Sequence, residues 1–129
     1  MIYLDSSVVL SQVYAEPDSP HGTFWLQEFV SSKLLEYEVL NRVNQHSEGA
    51  LRNGNARMLI DNVELIALSP IVLSRALGPF PVAVKTFDGL HLATMDYLRA
   101  QGQTFRLASY DKKLVTAAQA IGVEIETNI

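Results

Sequence analysis

The chain is predicted to fold into an α/β domain of three layers, with a central, mainly parallel sheet flanked by helices. Short apolar runs that suit buried strands alternate along the sequence with longer amphipathic stretches that suit helices. The run at 64–68 is the clearest central strand after the first. Strands separated by helices pair in parallel, because each helix returns the chain to the same end of the sheet. The predicted strands are 2–4, 64–68, 105–108 and 123–126.

Each helix is predicted from its apolar period and from the residues that start or stop it. The first begins at Ser6 and ends near Tyr14, because the following cluster 16–20 contains two prolines. A second begins near Pro20 and carries the aromatic residues up to Phe29. Five more helices are predicted over 33–45, 50–62, 71–77, 86–100 and 111–121.

Polar residues at the predicted helix starts are capping candidates. Ser31 or Ser32 is expected to cap the helix that follows them, and Thr86 or Asp88 the long helix that ends near Ala100. Such side chains accept a hydrogen bond from a backbone N–H that has no partner within the helix.

Length and composition indicate one domain that spans residues 1–129. A chain of 129 residues buries one core, and 48% hydrophobic with 19% charged residues is a normal globular balance. Cysteine is absent from the sequence, which excludes a disulfide framework and a thiolate metal site. Asp5 interrupts the first apolar run, and charged residues and prolines interrupt 63–84, so neither a signal peptide nor a membrane span is predicted. The expected location is the cytoplasm.

The net charge of -4 argues at first against a nucleic-acid partner, because proteins that bind phosphates usually carry an excess of Lys and Arg. The chain has 14 acidic residues and 10 Lys plus Arg. If four acids are metal ligands, the ten that remain balance the ten basic residues. A nucleic-acid partner is therefore compatible with the composition.

Two candidate site residues follow predicted strands. Asp5 closes the first strand, and Asp111 comes shortly after the strand at 105–108. In an open α/β sheet, ligands bind at the C-terminal ends of the strands. Each residue also suits the N-cap of the next helix, so a capping role and a ligand role both stay open.

Two further acidic candidates lie on predicted helices. Asp88 stands at the mouth of the long helix, where it also suits a cap. Glu38 shares a polar stripe with Asn41 and Arg42, which an ordinary solvated helix face would show as well. Asp96 lies about 12 Å beyond Asp88 along the helix and is excluded from the same ion.

A cluster of these carboxylates would be costly without a cation. Two unit charges about 4 Å apart repel by about 4 kcal/mol at an effective dielectric of about 20. Mg²⁺ and Mn²⁺ prefer oxygen ligands and keep several waters, one of which can act as a nucleophile. Convergence of the four acids would therefore predict a Mg²⁺ or Mn²⁺ centre.

Four sequence blocks, taken in order, resemble the motif blocks of PIN-domain nucleases. They span residues 3–7, 31–38, 86–94 and 109–114, and each contains one of the four candidate acids. The match covers nearly the whole chain, whose length is most similar to the VapC toxins of toxin–antitoxin pairs. The resemblance implies a PIN-like fold with two groups of site residues. The metal-binding and catalytic carboxylates are Asp5, Glu38, Asp88 and Asp111, and the small polar residues beside them are Ser6 and Ser109.

The resemblance also implies an activity and partners. A VapC-like protein would be a Mg²⁺- or Mn²⁺-dependent endoribonuclease that cuts RNA and leaves the phosphate on the 5′ side of the product. It would form a homodimer and bind a VapB-type antitoxin, which inserts a tail into the acidic groove and carries a DNA-binding domain. Operator DNA is then expected to bind only through the antitoxin.

Two other functions stay open from the residues alone. An aspartyl phosphatase that uses Asp5 as nucleophile is weakened, because such enzymes carry a second Asp where this chain has Ser7. A catalytically silent PIN-like adaptor is disfavoured by the presence of all four acids. Lys33 and Gly89 depart from the residues that are usual in the family, and His91 is expected to serve packing or a dimer contact.

Overall fold

A five-stranded parallel sheet forms the centre of the computed structural model, which describes residues 1–46 and 49–129. Within these residues the strands are β1 (Ile2–Leu4), β2 (Phe29–Ser32), β3 (Val63–Ile66), β4 (Arg106–Ala108) and β5 (Glu124–Ile125). Their order across the sheet is β3-β2-β1-β4-β5, and each neighbouring pair is parallel.

Six α-helices connect and cover the strands in the described part of the chain. They are α1 (Ser6–Val13), α2 (Leu34–Asn44), α3 (Gly49–Ile60), α4 (Pro70–Leu77), α5 (Thr86–Ala100) and α6 (Lys112–Ala120). Each agrees with a predicted helix to within a few residues. Among the described residues, no helix has both the length and the apolar character needed to cross a lipid bilayer.

Two hydrophobic cores lie on opposite faces of the sheet, because successive side chains of a strand point to opposite sides. Ile2 and Leu4 pack on one face with buried residues of α1, α2 and α3. Tyr3, between them, packs on the other face with buried residues of α5 and α6. Helices thus cover both faces of β1, and the predicted three-layer α/β fold is confirmed.

The prediction of a helix from Pro20 to Phe29 is wrong. A 3-10 helix spans Gly22–Leu26, and the chain then enters β2. All four residues of β2 are buried, so the strand lacks both the alternation and the length that mark a strand in a sequence. Since β2 lies between β1 and β3, the run at 64–68 forms an edge strand and is not the central strand that was predicted.

Asp5 and Asp111 both cap helices, as their positions after strands allow. Asp5 Oδ2 accepts a hydrogen bond from the Ser7 backbone N–H at 3.4 Å. Asp111 Oδ1 accepts from the backbone N–H groups of Lys113 (3.0 Å) and Leu114 (3.3 Å). Each cap leaves the second oxygen of its carboxylate outside the cap.

The capping predictions for the other two helices differ in how far they hold. Near the start of α2, Ser32 Oγ accepts the Leu34 N–H at 3.1 Å, but the N-cap position itself is occupied by Lys33, which makes no side-chain cap. For α5 the prediction is wrong, because the N-cap position is occupied by Lys85, which makes no side-chain cap. Asp88 instead lies in the first turn of α5, where its carboxylate is not used as a cap.

The order of the strands fixes the place of the site. From β1 the chain proceeds to β2 and β3 on one side of the sheet, and later to β4 and β5 on the other. The connections that leave β1 and β4 therefore diverge and open a crevice at the C-terminal ends of these strands. Asp5 follows β1, and the segment 109–111 follows β4, so both border this crevice.

Candidate active site

Asp5 is a buried carboxylate at the end of β1, with 5% of its surface exposed. The hydroxyls of Ser7 and Ser109 both donate to its Oδ2 oxygen, at 2.6 and 2.8 Å. All hydrogen bonds to the Asp5 carboxylate from the described residues end on Oδ2. The carboxylate is therefore held in one orientation through Oδ2.

The two serines join the strand ends on either side of the crevice. Ser7 Oγ accepts the backbone N–H of Tyr110 at 2.9 Å, and Ser109 Oγ accepts that of Asp111 at 2.9 Å. Asp5 is thereby fixed to the segment that carries Asp111. This network links two candidate acids that lie 106 positions apart in the sequence.

Ser6 and Ser109, the small polar residues implied by the resemblance, have different surroundings. Ser109 is 8% exposed and contacts Asp5 directly. Ser6 is half-buried at the first position of α1, and within the described residues its hydroxyl makes no hydrogen bond. The neighbouring Ser7, which sequence reasoning passed over, makes the contact to Asp5.

Glu38 reaches the site through a hydrogen-bonded chain from α2 to the sheet. Its Oε1 oxygen lies 2.6 Å from Nε2 of His91, and Nδ1 of His91 lies 2.8 Å from the hydroxyl of Tyr3. His91 is 1% exposed. Burial opposes the charged imidazolium, but the hydrogen bond and charge of Glu38 outweigh it and raise the pKa of His91 above its usual value.

The pKa of Asp88 is affected by the charges of the other three candidate acids. Burial raises the pKa of its carboxyl group, and the negative charges of Asp111, Asp5 and Glu38 raise it further, against the opposing effect of His91. The fold has therefore brought the four predicted acids, which come from four separate sequence blocks, within electrostatic reach of one carboxyl group.

The four candidate acids offer carboxylate oxygens, which are the donor type that Mg²⁺ and Mn²⁺ prefer. Among the residues that the structure describes, no group of three His, Asp or Glu side chains is positioned to hold a metal directly. Three of the acids have one oxygen engaged: Asp5 with the serines, Asp111 with its cap and Glu38 with His91. Mg²⁺ keeps several waters and needs only one or two direct carboxylate ligands, so this arrangement suits it.

His91 is buried and packs against Tyr3, which agrees with the expected packing role, but its contact with Glu38 was not predicted. The expectation of packing or a dimer contact came from its angle of about 60° from Asp88 around the helix. In the structure the ring is buried inside the protein between Glu38 and Tyr3, so it is not a surface residue available to a partner. Its position three residues after Asp88 was a signal, since such residues lie on neighbouring parts of one helix face.

Basic side chains surround the acids. Lys85, Lys112 and Lys113 line a cavity of about 580 Å³ that includes Asp88. Arg42 and Lys112 line a second cavity of about 720 Å³ that includes Ser7. In the described part of the chain, none of these four cations forms an ion pair with an acid.

Fold and site together define a PIN-like domain, in which a parallel sheet carries acidic residues around the crevice between β1 and β4. The crystal structure of VapBC2 from Rickettsia felis bound to a DNA fragment from their promoter shares this fold, with a TM-score of 0.70, 16% identity and 98% of each chain covered. Ribonuclease VapC46 of Mycobacterium tuberculosis is 32% identical over 127 residues, which cover 96% of this chain and 95% of that protein.

Two further relatives from Mycobacterium tuberculosis agree with this match. Ribonuclease VapC35 is 28% identical over 97% of this chain and 95% of its own length, and ribonuclease VapC47 is 23% identical over 95% and 93%. No family model matches the chain. The protein belongs to the VapC ribonuclease family, which confirms the family and the enzyme class predicted from its sequence blocks.

Proposed function

We propose that this protein is a Mg²⁺- or Mn²⁺-dependent endoribonuclease that acts in the cytoplasm as the toxin of a toxin–antitoxin pair. The observation that carries the proposal is the serine link between the strand ends. Ser109 Oγ donates to Asp5 at 2.8 Å and accepts from the Asp111 backbone at 2.9 Å, which keeps two of the acids at one crevice. The membership in the VapC ribonuclease family supports RNA as the substrate.

The carboxylates have distinct roles in this proposal. Asp5, Asp88 and Asp111 would hold the ion directly or through water, and Glu38 would bind a second ion or orient the attacking water. When bound, the divalent ion supplies an activated water and neutralises charge on the reacting phosphate. Water attacks phosphorus in line with the P–O3′ bond and gives up a proton to a carboxylate or to solvent. The P–O3′ bond breaks, the leaving O3′ takes up a proton from solvent, and the phosphate stays on the 5′ side of the product.

The side chains around Glu38 suit this role. His91 engages Oε1 and leaves Oε2 of Glu38 without a hydrogen bond from the described residues. The carboxylate is thus oriented by one contact and available through its other oxygen. The 2.8 Å contact between Tyr3 and the other ring nitrogen of His91 fixes the imidazole in turn.

The alternatives raised by the sequence have less support. Membership in a ribonuclease family argues against an aspartyl phosphatase. In addition, Asp5 Oδ2 is engaged by two serine hydroxyls, which is a poor arrangement for a nucleophilic oxygen. A silent adaptor would have no need for the crowded carboxylates around Asp88.

Partner proteins are proposed from the surface and from the solved relative. Apolar side chains on α4 and at the start of α5 are exposed: Ile71 by 68%, Leu73 by 44%, Leu77 by 89% and Phe87 by 46%. Neighbouring exposed apolar side chains mark interaction sites on soluble proteins. We infer a homodimer contact and a VapB-type antitoxin, with operator DNA bound only through the antitoxin. The similarity to VapBC2, which was solved bound to a promoter DNA fragment, supports an antitoxin partner.

Cleavage of RNA by the purified protein tests this proposal. We expect cleavage with Mg²⁺ or Mn²⁺, loss of cleavage with a chelator, and loss in the Asp5→Asn variant. Asp61→Asn is the matched control, because Asp61 is exposed and its side chain makes no ion pair among the described residues. Full activity of Asp5→Asn, or cleavage that persists in the chelator, would contradict the metal-dependent mechanism.

A further inference from the structure

A second cavity opens beside the carboxylates, between α1, α2 and the connection from β4 to α6. We call it the tyrosine cavity. Its volume of about 720 Å³ lies within the range of roughly 300–1,000 Å³ typical of pockets for small ligands. The residues that define it here are Ser7, Tyr14, Asp18, Arg42, Tyr110 and Lys112.

The tyrosine cavity shares a wall with the acidic site. Ser7 donates to Asp5 at 2.6 Å and accepts from the Tyr110 backbone at 2.9 Å, so one side chain separates the cavity from a proposed metal ligand. Tyr110 and Lys112 flank Asp111 in the sequence. An RNA strand that is bound at the acids and continues past Ser7 therefore enters the cavity.

The cavity has aromatic walls and polar groups that lack partners. The rings of Tyr14 and His46 lie 5.2 Å apart, and the ring of Tyr110 forms another part of the lining. Among the described residues, the hydroxyls of Tyr14 and Tyr110 are the buried polar side-chain groups without a hydrogen-bond partner. An unpaired buried hydroxyl costs about 1–3 kcal/mol, so a ligand that supplies a partner after a small ring movement gains affinity.

Charged groups at the cavity favour a ligand that carries both phosphate and hydrogen-bond donors. Arg42 and Lys112 are exposed and form no ion pair with a described acid, so both can contact phosphate. Asp18 and Glu16 also line the cavity. A carboxylate in this position can accept hydrogen bonds from the amino groups of a base.

Lys112 lies between two cavities that differ in their lining residues. It lines the tyrosine cavity on one side, and on the other it lines the cavity of Lys85, Asp88 and Lys113. A polyanion can therefore cross the acidic site and meet Lys or Arg side chains in the cavity on either side. Tyr14, His46 and Tyr110 line the tyrosine cavity, so that side offers aromatic rings to a base, and Lys85 and Lys113 on the other side suit backbone phosphates.

We infer that the tyrosine cavity binds the base of a nucleotide next to the cleaved bond of the RNA, with Arg42 and Lys112 on the adjacent phosphate. The inference rests on the proposed ribonuclease function and adds to it the element that selects the sequence. The cavity, and not the carboxylates, then determines at which base the RNA is cut.

Cleavage of a random-sequence RNA pool, read by sequencing of the product ends, tests the base contact. Tyr14→Phe and Tyr110→Phe keep the rings and remove the hydroxyls. We expect both variants to cleave while the base preference at one position beside the cut falls by about threefold to tenfold. Tyr97→Phe, which lies on α5 outside the cavity, is the matched control and should keep the wild-type preference.

Binding of a single-stranded RNA oligonucleotide to the Asp5→Asn protein tests the phosphate contact separately from cleavage. Adding Arg42→Gln should weaken binding by about tenfold and lower the salt dependence of binding by about 0.7 in the logarithmic slope. Arg57→Gln, on α3 and outside the cavity, should leave the slope unchanged.

The outcomes separate this inference from the function on which it rests. A wild-type protein that neither binds nor cleaves RNA overturns both. Wild-type cleavage with an unchanged base preference in both Tyr→Phe variants overturns the cavity inference alone. The same holds if Arg42→Gln leaves RNA binding intact and weakens only the binding of an antitoxin peptide, because the cavity would then be a protein-docking site.

Discussion

His91 Nε2 lies 2.6 Å from Glu38 Oε1, and this contact joins α2 and α5 above the sheet. Glu38 is the one candidate acid that does not follow a strand or lie in a first helical turn, so its side chain needs an external support. The buried ring of His91, fixed by Tyr3 on its other nitrogen, supplies that support. His91 is therefore a positioning residue for Glu38.

Replacement of His91 should lower turnover more than substrate binding. We expect His91→Phe to reduce kcat by about 10- to 100-fold, as for other residues that orient a metal ligand, with little change in KM. His91→Gln keeps an N–H donor and should retain more activity than His91→Phe. Steady-state kinetics on an RNA oligonucleotide measures both values. His21→Phe, at an exposed position, is the control.

An alternative result for His91 would change this assignment. If His91→Phe and His91→Gln lose the same activity in proportion to a fall in melting temperature, the ring serves stability and does not position Glu38. Thermal unfolding of both variants under the assay conditions decides between the two.

Removal of the Asp88 charge should stabilise the protein in the absence of divalent ions. The folded state raises the pKa of Asp88 above its unfolded value, so this group's contribution to stability is lost as the pH rises through the folded pKa. At neutral pH, Asp88→Asn removes the repulsion and should raise Tm by about 4 °C.

Divalent ions should reverse the order of stability between the two proteins. Mg²⁺ or Mn²⁺ binds the folded wild type and raises its Tm, whereas Asp88→Asn should respond weakly. Melting curves with and without each ion, with Asp61→Asn as the control, test this point. Equal ion responses of wild type and Asp88→Asn would remove Asp88 from the set of ligands.

The two adjacent serines should differ in their effects. Ser7→Ala removes the 2.6 Å hydrogen bond to Asp5 and the acceptor of the Tyr110 N–H, and should cost about 1–3 kcal/mol of stability along with most of the cleavage activity. Ser6→Ala should change both by far less. Chemical denaturation and cleavage rates provide the comparison. A larger loss in Ser6→Ala would restore Ser6 as the supporting residue implied by the family resemblance.

Glu126 provides a test of pH-dependent stability away from the active site. Hydrogen bonds from the Arg106 guanidinium, at 2.7 and 3.0 Å, lower the pKa of the Glu126 carboxyl below its usual value. The stabilisation is therefore complete above the unfolded pKa and is lost as the pH falls through the folded pKa. It should amount to about 0.5–1 kcal/mol, because one partner is half exposed.

The measurement compares the Tm of wild type and Glu126→Gln as a function of pH. The wild type should be more stable at pH 7, and the difference should shrink below about pH 4. Glu64→Gln, at an exposed position on β3, should show no such dependence. A constant difference between wild type and Glu126→Gln at all pH values would show that the lost contact is not electrostatic.

The sequence predicted most helices, the caps at Asp5 and Asp111 and the position of α5, because each of these depends on residues close together in the chain. Asp5 and Asp111 cap the helices that they precede, and the apolar period of α5 sets its position. β2 was missed because its four buried residues look the same as a short part of a helix. The hydrogen-bond partners of His91 were not predicted because they lie 53 and 88 positions away, which no local pattern reveals.

The sequence by itself determined the α/β class, the helix starts at Asp5 and Asp111 and the family to which the chain belongs. Tertiary structure decided the order of the strands, the serine link from Asp5 to Asp111 and the support of Glu38 by His91. Periodicity and capping depend on residues a few positions apart. Contacts across the crevice between β1 and β4 depend on which strands become neighbours. The strand order is settled only when helices bury both faces of the sheet.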